Sequence, residues 1–175
     1  MPSAAPAYSS VPSATSTLES AQDLGYTIPN QFVVKTTAYT HYEADHVQYG
    51  AKTATGENLK YGTVRSAAAD WSRYPVGTRF KIKGLPYEYV VDDYGRALVG
   101  TDTIDLYKPD SNYMNQWGAR DVGIEVLEWG SFEESKRILE GRKNKPDADH
   151  VRRMLRNIEE KIDKIPAQLR DGFRA

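Results

Sequence analysis

Between Phe32 and Trp129 the apolar residues recur mainly at every second position. Phe32-Val33-Val34-Lys35-Thr36-Thr37-Ala38-Tyr39 is rich in β-branched and aromatic side chains. Phe80 and Ile82 alternate with Arg79, Lys81 and Lys83, Tyr87, Tyr89 and Val91 share one face, and Val122, Ile124 and Val126 share another. A period of two marks half-buried strands. Glycines punctuate the intervals, with Pro75 and Pro86 beside two of them. About six short strands, glycine turns and little helix predict a small β-barrel rather than a layered α/β fold.

After Gly130 the period changes. Ser131 can cap a short helix through Glu133, Glu134 and Ile138 to Leu139, with Gly141 as its stop. A second helix follows Asp147 or Asp149 and carries Val151, Leu155, Ile158, Ile162, Ile165 and Leu169 at spacings of four and three, an a/d seam that Pro166 interrupts. That seam serves either to pack the helix on the barrel and the preceding helix or to form a homodimer. Residues 1–24 are dominated by Ser, Ala, Pro and Thr and read as a flexible leader. The expected organisation is therefore a leader over 1–24, a barrel over 25–130 and a helical extension over 131–175. Truncation after Gly130 is expected to leave a soluble barrel.

Composition narrows the partners. With 175 residues, 27% of them charged, and a net charge of −1, the chain has no global attraction to nucleic acid or membrane. The absence of cysteine removes disulfides, thiolate zinc sites and a thiol nucleophile. No apolar run reaches the roughly 20 residues of a membrane span, and the N-terminus lacks the basic and apolar regions of a signal peptide.

The stretch VVDDYGRALVGTDTIDLYKPD, residues 90–110, sets acids among apolar strand residues. Alternation puts Asp105 on the face of Thr103 and Tyr107, opposite Ile104 and Leu106, so it should look outward into a groove. Asp93 precedes a turn-like Tyr94-Gly95, and Asp70 ends the small-residue run Ser66-Ala67-Ala68-Ala69. Asp92 and Asp102 read as solvent or turn residues. Carboxylates that converge cannot all ionise cheaply, and one of them becomes able to give and retake a proton. Clustered oxygens also suit a hard cation, but the EF-hand spacing is absent, and neither a metal nor another cofactor is expected. His41, Glu43, Asp45 and His46 lack a zinc-protease pattern and read as a loop, and Ser66 and Ser72 lack a nucleophile-elbow context. Trp71, Trp117 and the tyrosines fit either sugar stacking or barrel core. Arg96 and Arg120 are candidates for a substrate carboxylate.

Several motifs occur in order: Thr37-Ala38-Tyr39, Thr53-Ala54-Thr55-Gly56, Ala68-Ala69-Asp70, Pro75-Val76-Gly77-Thr78, Asp93-Tyr94-Gly95-Arg96-Ala97-Leu98-Val99-Gly100, Ile104-Asp105-Leu106-Tyr107 and Trp117-Gly118-Ala119-Arg120. Over about residues 34–128 the chain resembles the three-aspartate (3D) domain family, whose fold is a double-psi β-barrel related to the catalytic barrel of membrane-bound lytic transglycosylase A. The resemblance implies a mainly β chain, a six-stranded double-psi β-barrel with a C-terminal α-helical extension. It also implies a cell-envelope or secreted location, and peptidoglycan glycan strands as the partner. The implied reaction cleaves the bond between N-acetylmuramic acid and N-acetylglucosamine and leaves a 1,6-anhydro end. The three family acids fall on Asp70, Asp93 and Asp105, with Asp105 as acid/base and the other two tuning or orienting it. Tyr39 and Thr55 resemble positions lining the same groove, able to hydrogen-bond the sugar or Asp105, and Gly56, Gly95 and Arg96 are expected to bind substrate with them. Where the family has Asp-Thr-Gly-Gly, this chain has Asp93-Tyr94-Gly95-Arg96, and the interval to Asp105 is one residue longer. A noncatalytic glycan-binding or wall-loosening barrel, as in expansin-like relatives of the fold, is the alternative.

Overall fold

Alternating strands need a second surface for their apolar faces, and here the sheet supplies it by closing on itself. A computed structural model describes residues 30–41 and 51–164. The expected leader, Glu43, Asp45 and His46, and the seam residues Ile165 and Leu169 lie outside the described residues. The strands are β1 (Gln31–Tyr39), β2 (Val64–Ala68), β3 (Arg79–Ile82), β4 (Glu88–Asp93), β5 (Ile104–Tyr107) and β6 (Arg120–Glu128). They form a closed barrel in the order β1-β5-β2-β4-β3-β6. β1 pairs with β5, and β2 with β4, in parallel, while the other contacts around the barrel are antiparallel. Thus β5 lies between β1 and β2, and β2 lies between β4 and β5. Each connected pair is split by a strand of the other, which is the interlocked crossing of a double-psi barrel.

The inward side chains are those the alternation selects, among them Val34, Phe80, Ile82, Tyr89, Val91, Ile104, Leu106, Ile124 and Val126. One helix departs from the expectation of little helix within the barrel region: α1 (Ser111–Trp117). The Asp110 carboxylate accepts from the Tyr113 amide at its start, and Gly118, with φ 63°, ends it.

The extension forms α2 (Phe132–Glu140) and α3 (Asp149–Lys164). Ser131 Oγ accepts from the Glu134 amide, capping α2 as its sequence predicts. Phe132, Leu139, Val151, Met154, Leu155, Ile158 and Ile162 join the barrel residues in one apolar cluster. The seam residues Val151, Leu155, Ile158 and Ile162 are therefore covered within the chain, as the packing alternative for this helix expects. The join is tight at Gly130, where a Cβ would overlap the carbonyl oxygens of Val76 and Pro75. Among the described residues no helix is long and apolar enough to cross a membrane.

Candidate functional site

Three strands bring the acids together on the outer face of the barrel. In β2, Ala68 is paired with Asp105 of β5 on one side and with Asp93 of β4 on the other, and Asp105 is paired in turn with Thr37 of β1. Side chains of directly paired residues share a sheet face. Thr37, Asp105, Ala68 and Asp93 therefore form a row across four strands, with the two acids on either side of a methyl group. Strand spacing puts the two backbones about 10 Å apart.

Asp105 is half-buried and accepts a hydrogen bond from Thr37 Oγ1 at 2.9 Å. Asp93 is buried, and its Oδ1 accepts from the amides of Ala54 at 3.1 Å and Tyr94 at 3.0 Å. Its carboxyl is pushed up to about 7, first by burial and also by the charge of Asp92. The two amides and Arg142 oppose the rise.

Asp92 corrects the expectation from its sequence position. It is buried, not a solvent or turn residue. The β2–β4 register shifts between Ala67, paired with Val91, and Ala68, paired with Asp93. Asp92 is the extra residue of a β-bulge, and the bulge breaks the alternation that would otherwise send neighbouring acids to opposite faces. Its Oδ2 accepts from Ser66 Oγ at 2.7 Å and lies 3.5 Å from Lys60 Nζ. Burial raises its carboxyl to about 6 despite those partners.

Asp70 has a different setting. It has no exposed surface, and Oδ1 accepts from the amide and the hydroxyl of Ser72 at 2.9 and 2.7 Å. Oδ2 accepts from the Gly100 amide at 2.8 Å. This carboxylate braces the turn after β2 against the loop before β5 and is not one of the paired positions of the row. Asp102 is exposed and paired with Arg73. A concavity of about 660 Å³ between β1, Trp129 and α3 includes Asp102 but none of the row.

Tyr39, paired with Tyr107 one row along the same face, is buried, with its phenol raised well above its ordinary value by burial and by Asp93, Asp92 and Asp105. It holds its proton and can only donate to an anion. Its ring tilts against Tyr107 at 5.7 Å, and the Tyr107 hydroxyl meets His41 Nδ1 at 2.8 Å. Thr55 and Gly56 follow Ala54, the amide donor to Asp93. Thr55 Oγ1 is 2.7 Å from Thr53 Oγ1, and Gly56 is exposed with φ +86°. Gly95 opens the 3-10 turn Arg96–Leu98, where a Cβ would press on Leu98, and Arg96 points to solvent. Trp71 is fully buried and donates to the Asp93 carbonyl, so it is core rather than sugar platform.

Sequence reasoning missed Asp92, Ser66, Lys60, Thr37 and His41. Two adjacent acids inside a strand are the signal that could have suggested a bulge. The extension also reaches this site. Arg142, just past α2, donates to the Tyr94 hydroxyl at 3.1 Å and to the Ala54 carbonyl. Tyr94 and Ala54 are the residues whose amides hold Asp93. Among the described residues no three His, Asp or Glu side chains are grouped as a metal ion would need.

No family model matches the chain. Over 95 residues, 54% of its length, it is 32% identical to a protein of Bacillus subtilis (strain 168) named "Putative cell wall shaping protein YabE". The match covers 23% of that protein, so the chain corresponds to less than a quarter of its relative.

Proposed function

We propose that this chain is a cell-envelope lytic transglycosylase of the three-aspartate type, cleaving between the muramoyl and glucosaminyl residues of peptidoglycan. The cell-wall relative supports the substrate class. One observation carries the chemistry: of the three acids matched to the family, Asp105 alone is half-exposed, while Asp93 keeps only 5% of its surface and Asp70 none. A single reachable carboxyl suits a reaction in which no water molecule attacks. Asp105 protonates the departing glycosidic oxygen. It then takes the proton from the muramoyl C6 hydroxyl as that oxygen bonds to C1 and closes the anhydro ring. The bond from C1 to the departing oxygen breaks and positive charge develops at C1. The bond from O6 to C1 forms on the same β face, and the proton of the hydroxyl returns to Asp105.

The neighbours set the charge around it. Asp93, held near neutrality by burial, is protonated below about pH 7. There it adds no charge beside Asp105, and above that pH it adds one. Tyr39 lies one row along the same face, and Thr37 holds one Asp105 oxygen through its hydroxyl. Thr55, Gly56, Gly95 and Arg96 line the rim on the loops that hold Asp93.

A noncatalytic glycan-binding barrel would use the same groove with Asp105 as a sugar ligand. Digestion of purified peptidoglycan followed by mass spectrometry separates the readings. Anhydro products lack one water relative to hydrolysis products, and a pure binder releases neither.

A further inference from the structure

Beside the acid row, three cations are paired with no carboxylate among the described residues. Lys108 directly follows Tyr107 and is only 7% exposed. Its ammonium lies 4.8 Å from the centre of the Trp117 ring and 5.7 Å from that of Tyr61. The Arg65 guanidinium covers Tyr61 at 3.9 Å, and that of Arg120 covers Trp117 at 4.2 Å. Arg65 and Arg120 spend hydrogen bonds on the carbonyls of Gly62, Trp117 and Gln116. The Arg65 guanidinium also covers the Tyr87 ring at 3.3 Å, and among the described residues none of the three cations makes an ion pair. Burial, together with the charges of Arg65 and Arg120, makes the Lys108 ammonium less basic than usual.

Such an arrangement is costly in isolation. Like charges repel, and a desolvated ammonium is compensated only by the faces of two rings. The rings hold the cations in place, so the order is already present before anything binds. Tyr61 also meets Tyr107 edge-on at 6.2 Å, which places the cations at the end of the groove that holds Asp105, Tyr39 and Tyr107.

We propose that Lys108, Arg65 and Arg120 form a subsite for a carboxylate carried by the glycan strand, the acidic peptide stem on the muramoyl sugar. The assignment of the stem rests on the transglycosylase reading, because the muramoyl residue is the one that carries such a group. A carboxylate there neutralises the cluster and registers the strand, setting a muramoyl rather than a glucosaminyl C1 at Asp105. Recognition is by charge and by guanidinium hydrogen bonds, and the reaction at Asp105 proceeds elsewhere in the groove.

Binding of N-acetylmuramoyl-L-alanyl-D-isoglutamine to the full chain, followed by NMR titration, tests this directly, since that fragment has no glycosidic bond to cleave. The expected result is affinity about tenfold higher for the free acid than for its amide. Lys108→Met and Arg65→Gln should each remove that preference, while Asp105→Asn keeps it. Arg65→Gln is half-exposed and serves if the buried Lys108→Met does not fold. Equal affinity for acid and amide, or a preference that survives in both variants, overturns the proposal. Tighter binding of glycerol phosphate than of the acid also overturns it and assigns the cations to a phosphate polymer. An acid preference in a protein that cleaves no peptidoglycan would sink the transglycosylase reading alone. Cleavage with no acid preference would sink the subsite alone.

Discussion

Ser66 Oγ donates to Asp92 Oδ2 at 2.7 Å, from a strand position that alternation puts on the same outer face as Ala68. The bond holds a bulge that turns both Asp92 and Asp93 toward one side of the barrel. The result is a pair of buried carboxyls one residue apart, with values of about 6 and about 7.

Stability should therefore fall as pH rises. The folded protein keeps both carboxyls protonated at pH values where an unfolded chain, with an ordinary value of 3.8, has released them. Their favourable contribution is full below about pH 4 and is lost as pH climbs through about 6 and then about 7. Urea unfolding at pH 5 and pH 8 should show lower stability at pH 8. Asp92→Asn and Asp93→Asn should each shrink that difference, and an unchanged difference in both would refute the burial argument.

Asp70 should behave as a structural residue. Asp70→Ala leaves two Ser72 donors and the Gly100 amide without their acceptor, at a cost of about 2–4 kcal/mol in urea unfolding. Activity per folded molecule should drop far less than in Asp105→Asn. A loss equal to that of Asp105→Asn in a fully folded Asp70→Ala protein would instead put Asp70 in the reaction.

Arg142 ties the extension to Asp93. Arg142→Ala removes the bonds to Tyr94 and Ala54 along with a favourable charge, so the Asp93 carboxyl should titrate at higher pH still. A carbon-detected NMR titration of that carboxyl reads the shift. A downward move would mean that the cation acts in some other way.

The extension should also be indispensable to folding. Because Leu139, Val151, Met154 and Ile158 share the barrel's apolar cluster, a chain ending at Gly130 should aggregate, contrary to what the sequence alone suggests. Gly130→Ala, which forces a methyl into the Val76 and Pro75 carbonyls, should cost more than about 2 kcal/mol. A monomeric, cooperatively unfolding truncation product would separate the extension from the core.

The parts of this structure legible in the sequence are those fixed by local period. Alternation alone puts Ile104 and Leu106 in the core and Asp105 on the opposite face, and Ser131 caps its helix as its position suggests. Asp92 was illegible because a bulge depends on how β4 pairs with a strand far away in the chain, not on its own residues. α1 has no fully buried residue, so it carries no apolar stripe to betray it. The seam of α3 was visible, but its period is the same whether it packs on a second copy or on the barrel. Tyr94, a departure from the family pattern beside Asp93, gains a reason only from Trp71, which it meets edge-on at 5.0 Å, and from Arg142.

The most direct measurement is mass spectrometry of the products released from purified peptidoglycan by the full chain and by Asp105→Asn. The expected result is 1,6-anhydro-muropeptides from the unaltered chain, no new reducing ends, and a rate at least about a hundredfold lower for the folded variant. Reducing ends, products that persist undiminished in Asp105→Asn, or no products from folded protein would contradict it.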